Sequence, residues 1–208
     1  MTTHLRKDLA NVEKLLLVLS GQVEEAMREA MTALVERDRE QAQRVIEQDQ
    51  EIDRREVELE EECLKILALH QPVATDLRFV AACIKIDNDL ERIGDLACNI
   101  AERAISLSDQ LHEMMELGAL MLRDSLSAFV EADPELARAV CKRDDQVDDL
   151  NRKVIRDLLQ AMHRDPSTIS QALELISVSK ALERIADHTT NICEDVVYLV
   201  EGQIIRHQ

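Results

Sequence analysis

The stretch "NDLERIGDLACNIAE", residues 88–102, is written almost a second time as "KALERIADHTTNICE", residues 180–194. From Leu90 to Glu102, eight of 13 positions recur 92 residues later: Leu90, Glu91, Arg92, Ile93, Asp95, Asn99, Ile100 and Glu102. An earlier block recurs at another offset. From Ala33 to Asp53, nine of 21 positions reappear 95 residues on, including Val35/Val130, Glu36/Glu131, Asp38/Asp133, Ala42/Ala137, Asp49/Asp144 and Asp53/Asp148. The offset shortens by three between the two blocks, so each copy holds the same elements joined by a connection of different length. The chain therefore reads as a tandem repeat, with a first unit at 1–107 and a second at 108–208.

The composition says what the repeated elements are. Of 208 residues, 46% are hydrophobic but only three are aromatic (Phe79, Phe129, Tyr198), with four glycines and three prolines. Such a chain suits long helices packed side by side, not sheets. Breakers and caps place six helices at about 4–36, 39–69, 75–106, 111–131, 134–162 and 168–201. Asp38, Asp133-Pro134 and Asp165-Pro166 read as N-caps, the last two with proline at the first helical position, where its missing N–H costs nothing. The turns fall at "HQPVATDLR" around Pro72 and at "ISLSDQLHE", 105–113. Leu5, Leu9, Val12, Leu16, Leu19, Val23 and Ala30 carry the three-and-four spacing of a buried stripe. The fold class is all-α: two tandem three-helix bundles.

The formal charge of −17, from 42 acidic and 25 basic residues, leaves a nucleic-acid backbone no source of attraction. The five cysteines (Cys63, Cys83, Cys98, Cys141, Cys193) are odd in number and never spaced C-x-x-C, which predicts buried thiols in a reducing compartment. The apolar run "LLLVL" at 15–19 is far shorter than a membrane span, and no leader cleavage site follows it. The expectation is a cytoplasmic protein without direct membrane insertion. With no P-loop, nucleophile elbow or Gly-rich dinucleotide turn, it is not expected to be an enzyme.

Acid–acid pairs at i,i+4 should arise by chance roughly eight times in a chain this acidic, so one pair carries no information. Recurrence does: Asp49/Asp53 and Glu91/Asp95 return as Asp144/Asp148 and Glu183/Asp187. Asp53 lies 19 residues before Pro72 and Glu91 19 after, Asp49 23 before and Asp95 23 after, so in an antiparallel hairpin the four carboxylates stand level. Around Pro166 the counts are 18 and 17, then 22 and 21. Glu91, Asp95, Asn99 and Glu102 share an arc of roughly 80°, as do Glu183, Asp187, Asn191 and Glu194. Level like charges repel unless a cation neutralises them. Oxygen donors without His or Cys suit hard ions such as Mg, Ca, Mn or Fe, with Zn less favoured. The twelve candidate ligands are thus Asp49, Asp53, Glu91, Asp95, Asn99, Glu102, Asp144, Asp148, Glu183, Asp187, Asn191 and Glu194. Ordinary solvated acidic faces, with Arg92 and Arg184 as internal counter-ions, are the alternative. His188, beside Asp187 but facing Leu96 in the other copy, reads as a bystander.

"QPVATDLRFVAACIKIDNDLERIGDLACNIAE", followed by a degenerate second copy ending "ALERIADHTTNICEDVVYLVEG", resembles the PhoU family of phosphate-signalling regulators. The opening "THLRKDLANVEKLLLVLSGQVEEAM" and the D-x-x-I-D of 49–53 fit as well. The resemblance implies two similar three-helix bundles side by side, acidic E/D-x-x-x-D motifs that bind metal ions or clusters, and a homo-oligomer, commonly a dimer. It also implies negative regulation of bacterial phosphate uptake through the phosphate transporter's ATPase subunit and a phosphate-sensing histidine kinase. "HRDPSTISQAL" departs from "QPVATDLR" before the last helix, which sets the equivalence of the two metal sites apart as a separate question.

Two other classes stay open. A ferritin-like bundle for metal storage or oxidation needs Glu-x-x-His on two helices, and the nearest match here is the single Asp109-x-x-His112. A metal-independent helical adaptor needs none of these ligands. The apolar residues of the first and fourth helices, Leu15 to Leu19 and Leu117 to Leu122, exceed one stripe and predict contacts on two sides.

Overall fold

The computed structural model describes residues 3–36, 38–101 and 109–202, which are helical throughout apart from short connections. Helices α1 (Thr3–Glu36), α2 (Arg39–His70) and α3 (Ala74–Ala101) pack on one another as the first bundle. The second holds α4 (Asp109–Glu131), α5 (Pro134–Cys141), α6 (Asp144–Arg164) and α7 (Ile169–Glu201), with a 3-10 turn at Pro166–Thr168. The last helices of the two units, α3 and α7, form the seam between the bundles. The all-α class and the tandem bundles stand as read from the sequence.

The expected caps close the helices. Asp38 Oδ1 accepts from the amides of Glu40 (2.9 Å) and Gln41 (3.0 Å), and Asp133 Oδ1 from those of Glu135 (2.9 Å) and Leu136 (3.0 Å). Each satisfies two of the donors that a helix start leaves open. Asp165 accepts from the Ser167 amide at 2.9 Å, but it caps the 3-10 turn and not α7 itself. The seven residues of the α1 stripe are all buried.

Two boundaries need correction. The helix expected over 134–162 is interrupted at Lys142-Arg143, which separates α5 from α6. There the ladder tightens to three-residue steps, with the Arg143 amide on Val140 O at 2.9 Å and the Gln146 amide on Arg143 O at 3.0 Å. The Arg143 guanidinium is engaged by Asp124 of α4, which ties this turn to a neighbouring helix. Both residues stay in the right-handed helical region, so α5 and α6 form one jointed rod. The turn expected at 105–113 ends earlier, since α4 already begins at Asp109. Its first part, and the expected end of the third helix near 106, lie outside the described residues.

The wide apolar faces of α1 and α4 meet each other in part: Gly118 of α4 lies against Met27 of α1, and Arg123 pairs with Glu24 at 2.8 Å. Leu17, Val18 and Leu120 remain exposed on these two helices. The α3–α7 seam is partly polar. Lys85 pairs with Asp195, His188 Nδ1 lies 2.8 Å from Asp89 Oδ1, and Arg78 Nε donates to the Leu199 carbonyl at 3.3 Å. Phe79 and Phe129 stack across the two units with centroids 5.9 Å apart. No described helix is long and apolar enough to cross a membrane.

Candidate functional site

The two long helices α2 and α3 bring Asp49 and Asp53 face to face with Glu91 and Asp95. Gly94 lets them approach: a methyl group there would stand 3.3 Å from Ile52 Cγ2 and 3.7 Å from Asp49 Oδ1. Burial, then Asp53 and Asp95, pushes the Asp49 carboxyl above its ordinary range, against a hydrogen bond from the Cys98 thiol. Burial and Asp95 also raise Glu91, with Arg92 acting in the opposite direction and Glu56 and Asp53 adding to the rise. Arg92 reaches both acids only loosely, at 3.5 Å from Glu91 and 3.8 Å from Asp95. The four carboxylates crowd one another with a weak internal counter-ion.

The second unit gathers Asp144 and Asp148 of α6 with Glu183 and Asp187 of α7. Asp144 is pushed up to about 6 by burial, then by Asp187, Asp148, Asp145 and Glu183. Glu183 rises through burial, Asp187 and Asp148, opposed by Arg184 and Lys180. Arg152 lies 3.3 Å from Asp148.

The remaining candidate ligands are less alike. Asn99 Nδ2 donates to the backbone carbonyl of Asp95 at 2.8 Å, whereas Asn191 Nδ2 turns to Asp89 across the seam at 3.4 Å. Glu194 is half-buried near Cys141 and Asp195. Glu102 lies outside the described residues. Among the described residues no three acidic, thiol or imidazole groups converge closely enough to form a ready-made metal cage. The donors fit a hard cation by chemistry, and an ion would have to draw them together.

Several groups differ from the sequence reading, which takes His188 as a bystander and all five cysteines as buried, and one was missed. His188 is a seam residue, bonded to Asp89. Cys98 and Cys141 are only half-buried, unlike the buried Cys63, Cys83 and Cys193. Asp87, one helical turn before Glu91, is fully buried with neither carboxylate oxygen bonded. Its i,i+4 spacing to Glu91 was a signal, but its counterpart in the second copy is Ser179, so recurrence passes over it.

The PhoU domain matches this chain twice, over residues 16–104 and 111–196. The chain belongs to the PhoU family. The phosphate-specific transport system accessory protein PhoU homolog of Pseudomonas putida is 41% identical over 209 positions, covering 96% of this chain and 82% of that protein. The PhoU homolog of Aquifex aeolicus is 39% identical over 97% of this chain and 95% of its own length. Among solved structures, PhoU from Pseudomonas aeruginosa superposes with a TM-score of 0.91 at 38% identity, covering 95% of this chain and 99% of that one. The phosphate transport system regulatory protein PhoU from Streptococcus pneumoniae gives 0.92 at 31% identity, covering 98% and 100%.

Proposed function

We propose that this PhoU-family chain is a non-catalytic regulator of a bacterial phosphate-specific transport system, restraining phosphate uptake and the phosphate-starvation response. The observation that carries the reading is likeness along the whole chain, in sequence and in fold, to proteins named as accessory to that system. It acts on the cytoplasmic face by docking, as a homodimer, to the transporter's ATPase subunit and to a phosphate-sensing histidine kinase. The exposed Leu17, Val18 and Leu120 supply apolar contact for such surfaces. The two carboxylate faces bind Mg, Mn, Ca, Fe or Zn ions. Their support is recurrence in both units and the upward shift of Asp49, Glu91, Asp144 and Glu183, which a cation would relieve.

A metal-independent adaptor is the second reading, favoured by Arg92 and Arg152 beside the acids and by the missing cage. One genetic experiment tests both. Deleting the gene should leave phosphate-starvation genes expressed in phosphate-rich medium, and the wild-type gene should restore repression. A variant with Asp49 and Asp53 changed to Asn, Glu91 to Gln and Asp95 to Asn should restore it poorly. Normal repression in the deletion strain refutes the regulatory role; full restoration by the variant leaves the adaptor.

A further inference from the structure

Asp87 lies on the α2-facing side of α3 with 0% of its surface exposed, and neither of its carboxylate oxygens has a hydrogen-bond partner. Desolvating an unpaired carboxylate costs several kcal/mol, so such a group calls for an accompanying proton or cation. Its surroundings are acidic. Burial, then Glu56, Glu60 and Glu91, pushes Asp87 up to about 8. Glu56 is half-buried and Glu60 exposed, so the acids lead from the buried carboxylate outward to solvent. The nearby Cys63 thiol is pushed up to about 12 by burial, Asp87, Glu60 and Glu62; it stays protonated and leaves the donor set purely oxygen.

The second unit shows what the same position looks like without charge. There the counterparts of Asp87 and Glu56 are Ser179 and Asn151, and the Ser179 hydroxyl donates to Asn151 Oδ1 at 2.7 Å. A neutral bond satisfies that buried place. The first unit instead holds three acids, and no hydrogen bond reaches Asp87.

We propose that Asp87, Glu56 and Glu60 form a cation site of their own in the first unit, one turn toward Pro72 from the Glu91/Asp95 pair, taking a partly hydrated divalent ion such as Mg2+ or Mn2+. Mg2+ keeps several waters and binds proteins through one or two carboxylates, so the site needs no three-donor cage. Asp87 is the inner ligand, with Glu56 and Glu60 holding the ion through its waters. The site occurs once per chain. It does not rest on the regulatory reading.

The test is Mn2+ titration of chelator-stripped full-length protein, with free Mn2+ counted by its paramagnetic resonance signal and melting followed with and without the ion. Asp87→Asn should bind one Mn2+ fewer per chain, or bind it at least tenfold more weakly, while melting no lower than wild type in chelator. Glu56→Gln/Glu60→Gln, changed near the surface, should weaken the same site. Asp49→Asn/Asp95→Asn should keep it. Equal Mn2+ number and affinity in wild type and Asp87→Asn overturns the proposal, as does a wild type that binds no Mn2+. A loss seen only in Asp49→Asn/Asp95→Asn refutes this site and leaves the recurrent carboxylates as the ligands.

Discussion

Asp87 and Asp144 both hold their protons more tightly in the folded chain than in an unfolded one, being pushed up to about 8 and about 6. An acid raised in this way adds stability below its unfolded pKa, and that stability is lost as pH rises through the folded value. Metal-free protein should therefore melt several degrees higher near about pH 5 than near about pH 8.5, given about 1.4 kcal/mol per pKa unit and about 2–4 °C per kcal/mol. Asp165 and Glu201, held low by bonds from Ser167 and Arg138, protonate below that range and do not blur the slope. Calorimetry in chelator would check it, and Asp87→Asn with Asp144→Asn should flatten the dependence. A melting point that rises with pH would contradict it. At this scale the sequence was legible where two tests agreed, recurrence and distance from the turn: Asp49, Asp53, Glu91 and Asp95 do gather. Asp87 failed the first test because the copies solve that buried position differently.

At the scale of elements, Asp38 and Asp133 do equivalent work in the two units. Changing either to Ala removes an acceptor for two amides and should lower stability by roughly 1 kcal/mol. The double variant should lose about the sum, since distant sites add. Urea unfolding would check both; a markedly greater loss in the double variant would mean that the caps are coupled. These caps could be read from the sequence because they depend on residues two and three positions away. The joint at Lys142-Arg143 could not. It contains neither glycine nor proline, and its guanidinium answers to Asp124, 19 residues back on another helix. The opposite turns of Asn99 and Asn191 were hidden for the same reason, since Asn191 bonds across the seam.

For the molecule as a whole, the seam between the bundles is the contact that the repeat alone does not specify. Lys85 of α3 faces Asp195 of α7, whose side chain is 12% exposed. Lys85→Ala should destabilise the protein by about 1–3 kcal/mol, because it strands a buried acid without its cation. Adding Asp195→Asn should recover part of the loss. Equal losses for Lys85→Ala and the double variant in denaturant unfolding would show that the stranded Asp195 carboxylate carries no cost of its own.

The same seam sets a timetable for synthesis. Helix α3 is complete at Ala101, yet the helix that covers its outer side runs from Ile169 to Glu201. At a ribosomal rate of about 5–20 residues per second, that side waits roughly 5–20 seconds for its cover. Through this interval the newborn first bundle carries an unfinished wall. Arg78, Lys85 and Asp89 along it keep that wall partly wettable, which lowers the hazard of one nascent chain sticking to another before the second bundle arrives.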